Sequence, residues 1–222
     1  MLKKKKLFDG SFTNVTEDRF VTHFLERSPN LLRKKAQRYR SFISFLKQRK
    51  IKNLINDPSF IEPIERRNEI INFVSKGLKD FSISRTNVSW GIEVPDTRNH
   101  TFYVWFDALL GYVSAICQHK ENPTLDESIN NGWPADIHLI GKDILRFHAV
   151  YWPAMLLSAG MKLPKKVFGH GFLTREGQKM GKSLGNVLDP NLLLSKYGKE
   201  AVRWYLLKDI SLGSDGDFQN KR

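Results

Sequence analysis

From residue 64 onward the apolar positions fall into readable periods. Ile64, Ile70, Ile71, Val74 and Leu78 predict a helix over 64–78, with Gly77 weakening its last turn and Glu62-Pro63 turning into it. Phe81–Ser84 reads as a short strand. Residues 101–106 (TFYVWF) read as a buried strand that runs into a helix over 106–118. DIHLI at 136–140 is a second strand of this kind. Gly141-Lys142-Asp143 then turns into a helix over 143–158, which Gly160 can close. Val167-Phe168 begins a third strand, and a glycine-studded loop follows over 169–186. Asp189 is placed to cap a helix over 190–197 that starts with Pro190 and stops at Gly198, and another helix covers 199–208. Strands alternating with helices predict an α/β fold: a parallel sheet with crossover helices. Ligands of such sheets sit at the carboxyl ends of the strands, here Gly141–Asp143 and the 169–186 loop. Residues 31–52 show no clean period.

Charge divides the chain differently. The formal net charge of the 222 residues is +13, but residues 1–60 hold 15 Lys and Arg against 5 Asp and Glu. The remainder is nearly balanced and contains all five tryptophans. We therefore place a boundary near residue 60, separating a poorly defined basic N-terminal segment from the α/β part at 61–208, with a short tail at 209–222. The basic segment reads as a solvated arm or a phosphate-contacting surface. With 41% hydrophobic residues the chain can bury a sizeable core, and no apolar run approaches a bilayer span. The single cysteine, Cys117, leaves no intrachain disulfide and no CxxC zinc knuckle, so no metal site is expected and a reducing compartment is.

The strongest chemical signal is Lys179-Met180-Gly181-Lys182-Ser183, set among Gly169, Gly171, Gly177 and Gly185. Glycines let a loop move and let its backbone approach a ligand closely. Two lysines three apart can offer two point charges to one polyphosphate, where negative charge grows on a departing pyrophosphate. Read alone, the five residues are equally a solvated basic turn.

The longer string HGFLTREGQKMGKSLGNVLDP (170–190) is similar to the KMSKS region of class I aminoacyl-tRNA synthetases, with glycine for the first serine. It resembles the methionyl-tRNA synthetases in particular, organelle-type and cyanobacterial ones included. GLKDFSISRTNVSWGIEVP (77–95), TFYVWFDALLGYVSA (101–115) and DIHLIGKDILRFHAVYWPAMLLSAG (136–160) fit the same family in the right order, so the resemblance covers about 58–217. It implies half of a Rossmann-like nucleotide-binding sheet and a methionine–tRNA ligase reaction with methionine, ATP and tRNA as partners. Mg²⁺ is expected with ATP, and no zinc. Trp105, Ala108 and Tyr112 match the methionine side-chain pocket, and their i, i+3, i+7 spacing puts them on one helical face. Ile144 and His148 match its opposite wall. Such an aromatic stripe, without the resemblance, would read as core packing. Gly141 and Asp143 match the ATP-side turn, with Asp143 resembling a ribose-hydroxyl acceptor. Asp107 is placed to orient the site. His170, Gly171 and Phe172 resemble the strand end beside adenine, and Lys179, Lys182 and Ser183 take the signature-loop roles.

The family's first half-fold carries a HIGH-type motif, and 1–60 contains only His23 without matching neighbours. Neither that half nor the downstream anticodon-binding helices are found in these residues, and another chain is expected to supply the N-terminal half. Residues 42–55 resemble the connective insertion that precedes Pro63 in the family. An alternative reading is a catalytically inactive synthetase-derived fragment that binds RNA or a partner. The cytoplasm, a mitochondrion or a plastid is the expected compartment, rather than secretion or a membrane.

Overall fold

A computed structural model describes the backbone of residues 32–35, 38–41, 45–78, 83–86, 88, 90–94, 99–117, 124–208 and 210–219, with side chains from residue 50. Most of the proposed basic arm, residues 1–31, lies outside the described residues, as do residues 81 and 82 of the expected Phe81–Ser84 strand. The architecture is α/β. In chain order, β1 (Leu32–Lys35) and β2 (Arg38–Ser41) form an antiparallel hairpin, followed by helix α1 (Phe45–Asn56). Strand β3 (Ile61–Glu62) leads into α2 (Ile64–Ser75). Short strands β4 (Ser84–Arg85) and β5 (Thr101–Phe102) pair antiparallel, and α3 (Val104–Ser114) and α4 (Leu125–Asn130) follow. Then come β6 (His138–Gly141), α5 (Trp152–Ser158) and β7 (Val167–His170). The parallel sheet has the order β3-β7-β6, with Ile61 opposite Val167 and Gly141 opposite His170.

Three expectations are corrected. The aromatic strand ends at Phe102, because the amides of Phe106 and Asp107 bond back to the Tyr103 carbonyl and start α3 there. The 169–186 loop is partly a hairpin, β8 (Leu173–Arg175) and β9 (Gln178–Lys179). Its two-residue turn, Glu176-Gly177, has positive φ at both positions (51° and 75°), the twist a type I′ turn needs. Finally, 209–222 contains a strand, β10 (Gly216–Phe218), parallel to β8.

Two apolar clusters share one helical run, 145–158. Trp152, Met155 and Leu156 face the cluster built on Phe106, Leu109, Leu110 and Val113 of α3. Leu145, Ala149, Val150 and Ala154 face the cluster of Ile51, Ile55, Ile61, Ile70 and Val167. With apolar residues on two of its sides the run is buried between the clusters, and these residues are at most 3% exposed. Within the run, Phe147–Tyr151 form a π-helical turn. The second cluster also joins residues on either side of the compositional change near residue 60. Asp189 caps α6 (Pro190–Tyr197) by accepting from the Asn191 amide, and α7 (Lys199–Lys208) follows Gly198. Among the described residues no helix is long and apolar enough to cross a membrane.

Phe106 is fully buried and stacks on Phe102 with centroids 5.1 Å apart. Phe106→Ala should lower unfolding stability by about 3–5 kcal/mol in urea titration. Val104→Ala, two residues earlier on the exposed side of α3, should stay within about 0.5 kcal/mol. Equal losses would show that α3 does not pack as described.

Candidate active site

The site begins where β6 and β7 end. Their register sets Gly141 beside His170. A Cβ at Gly141 would lie 2.7 Å from Asp143 Oδ1, so only glycine lets that carboxylate fold back over the strand end. Asp143 is exposed at the start of the helical run. The turn also carries Lys142, whose ammonium lies 4.8 Å from the centroid of the Phe172 ring. Lys179 of the signature loop lies 4.8 Å from the same ring. Thus the sequence-predicted nucleotide-side residues Gly141, Asp143, His170, Gly171, Phe172 and Lys179 are brought into one neighbourhood. Lys182 and Ser183 occupy an exposed 3₁₀ turn at Lys182–Leu184.

The second group lies between α3 and the π-helical turn. The Trp105 ring stacks on Phe147 with centroids 4.5 Å apart, and His148 meets Trp105 edge-on at 6.5 Å. The Tyr112 hydroxyl is 2.8 Å from His148 Nε2, and His148 Nδ1 is 3.0 Å from the Ile144 carbonyl oxygen. A carbonyl only accepts, so Nδ1 carries the proton, and a neutral imidazole then accepts from the Tyr112 hydroxyl at Nε2. Burial favours that state: it holds His148 below the usual histidine range against the opposing bond to Ile144, and it raises the Tyr112 phenol. Ala108 is exposed between Trp105 and Tyr112 on the same helical face. Four of the five predicted pocket residues are therefore linked through His148 or lie beside its contacts, and Ala108 lines the open side. The arrangement is a flat aromatic wall with one neutral nitrogen, suited to an apolar, polarisable side chain.

Sequence reasoning missed four residues. Phe147, adjacent to His148, closes the Trp105 stack. Asn186 accepts from the Gly181 amide at 2.9 Å and donates to the Lys179 carbonyl at 3.2 Å, which staples the signature loop across its base. Asp217 accepts from the Thr174 hydroxyl (2.7 Å) and the Gly177 amide (2.8 Å), fixing the hairpin turn. His138 sits behind the pocket, its ring 4.4 Å from Tyr112 and 5.8 Å from His148. A strand residue in DIHLI gives no hint of this, because the partners come from α3 and the π turn. Among the described residues no cluster of three His, Cys, Asp or Glu could hold a metal ion.

His138 Nε2 is buried without a hydrogen-bond partner, and burial, followed by the neighbouring His148, pushes its pKa down to about 4. The unfolded chain, with a histidine near 6.5, binds the proton more readily between those values. Stability is then fully present above about pH 6.5 and falls as the pH drops toward 4. The loss from His138 alone is on the order of 3 kcal/mol. Urea unfolding from pH 4.5 to 7 should show this rise, and His138→Gln should flatten it. The same slope in the variant would place the linkage elsewhere.

A family model described as "tRNA synthetases class I (M)" matches residues 25–222. The methionine–tRNA ligase of Nostoc sp. PCC 7120 is 63% identical over 165 residues, which is 74% of this chain and 31% of that protein. The chloroplastic/mitochondrial methionine–tRNA ligase of Arabidopsis thaliana is 57% identical over 169 residues, 76% of this chain and 27% of that one. Mycobacterium tuberculosis methionyl-tRNA synthetase, solved with methionyl-adenylate bound, superposes with a TM-score of 0.72 at 45% identity, over 83% of this chain and 35% of that chain. The chain spans about a third of the length of the curated relatives it matches. With an α/β fold, a signature loop at the strand ends and identity of this order along most of its length, the chain belongs to the methionyl-tRNA synthetases, within the class I tRNA synthetases.

Proposed function

We propose that these residues supply the methionine pocket and the nucleotide-side loop of a methionine–tRNA ligase. In the first step the methionine carboxylate oxygen attacks the α-phosphorus of ATP. The bond to the bridging oxygen breaks, and pyrophosphate leaves with that electron pair. In the second step the 3′-terminal hydroxyl of tRNA attacks the acyl carbon of methionyl-adenylate, releasing AMP and a proton. Catalysis of the first step rests on positioning and on charge stabilisation.

The observation that carries this reading is the pairing of a neutral, aromatic-walled pocket with two signature lysines across the ends of β6 and β7. Trp105, Ala108, Tyr112, Ile144 and His148 would hold the thioether side chain, with Phe147 backing Trp105. Gly141 and Asp143 would take the ribose side, and His170, Gly171 and Phe172 the adenine side. Lys179, Lys182 and Ser183 would meet the phosphates, where mobile ammonium groups suit a charge that moves during reaction. Without a carboxylate cage among the described residues, Mg²⁺ would come with the nucleotide phosphates, its usual mode.

Mixed with a chain that supplies the N-terminal half, the purified chain should catalyse methionine-dependent exchange of pyrophosphate into ATP, and Lys182→Ala should reduce the rate by about 100-fold or more. Exchange that ignores Lys182→Ala would remove the signature loop from the chemistry. Folded protein without exchange would favour the alternative, a fragment that binds RNA or a partner.

A further inference from the structure

Asp215 follows α7 and lies far from every residue that the signature motifs single out, yet it reaches the centre of the nucleotide side. Both of its carboxylate oxygens lie 2.7 Å from Lys142 Nζ, and Oδ1 also accepts from the Phe172 amide at 2.8 Å. One carboxylate thus bonds the turn after β6 and the strand end after β7. These bonds, Lys142 first and Phe172 second, hold Asp215 below the usual carboxylate range. The backbone delivers it there. A Cβ at Gly171 would lie 2.0 Å from the Ser214 carbonyl oxygen, and one at Gly213 would lie 2.6 Å from Pro63 Cγ. The 213–215 segment is therefore wedged between Pro63 and the end of β7. Two residues on, Asp217 bonds Thr174 and the Gly177 amide, so one short segment grips the hairpin at its root and at its tip.

Lys142 and Lys179 both approach the Phe172 ring at 4.8 Å. Two ammonium groups at one ring repel unless one is neutralised. Asp215 neutralises Lys142 and leaves Lys179 as the free cation of the pair. We propose that Asp215 is a positioning residue of the nucleotide side: by holding Lys142 and the Phe172 amide together it sets the hairpin that carries Lys179 over the turn after β6. For its catalytic consequence this rests on the ligase reading above. The ion pair is half-exposed, at 25% and 46% for the two side chains, so it contributes little to global stability. A positioning role and a scaffolding role therefore separate cleanly.

The test compares the 222-residue chain with Asp215→Asn, which keeps an acceptor for Phe172 but loses the charge at Lys142, and with Asp215→Ala, which loses both. Per-site tryptic cleavage after Arg175, Lys179 and Lys182, referenced to exposed Lys162, reads the hairpin directly and needs no activity. Loop cleavage should accelerate about tenfold in Asp215→Ala and less in Asp215→Asn, with the thermal midpoint nearly unchanged. In pyrophosphate exchange, KM for ATP should rise about tenfold while KM for methionine stays within about twofold. Unchanged loop cleavage, a lowered midpoint, or methionine and ATP constants that rise together would each overturn the proposal. If the wild-type chain performs no exchange even when mixed with a chain that supplies the N-terminal half, the ligase reading fails, and the cleavage rates alone decide whether Asp215 sets the hairpin.

Discussion

The ladder between β6 and β7 places everything else. By setting Gly141 against His170 it puts two strand ends side by side, and each end continues into a segment that carries charge: Lys142-Asp143 on one side, the Lys179 hairpin on the other. The strands can lie there only because the helical run 145–158 that joins them is buried on both sides. Parallel pairing demands such a crossover, and a doubly buried crossover forces the remaining helices to pack around it. α3 covers one face and brings Trp105 and Tyr112; α1 and α2 cover the other and anchor β3 beside β7.

Much of this was legible in the sequence because it is written in periods. The resemblance named Trp105, Ala108 and Tyr112 as a set, and their i, i+3, i+7 spacing agrees with one face of α3, while Asp189, Pro190 and Gly198 bounded α6 as local chemistry dictates. What was hidden depends on distant partners. β3 is two residues long and has no pattern of its own; it is a strand because Ile61 meets Val167. β10 is polar and glycine-containing, and exists through its bonds to Phe172 and Thr174.

The same distinction runs through the site. Side chains that line the aromatic pocket repeat along one helix and are visible as a stripe. Side chains that hold the backbone in place stand singly: Asn186 and Asp215 in loops, Asp217 in the short strand β10. Each satisfies amides that a loop cannot pair by itself, and that need appears only when the loop's shape is known. The resemblance located the motif; the geometry located what keeps the motif still.

The π-helical turn at Phe147–Tyr151 carries a consequence for how the two cores stay in phase. In a regular α-helix consecutive residues point about 100° apart and do not share a target. Here Phe147 and His148 both engage Trp105, one face-on and the other edge-on, while Trp152 and Met155 downstream still meet α3. The wider turn works as a phase adjuster between pocket and core. Losing one residue from it would tighten the turn to an ordinary α-helical one, and Phe147 and His148 would no longer converge on one ring.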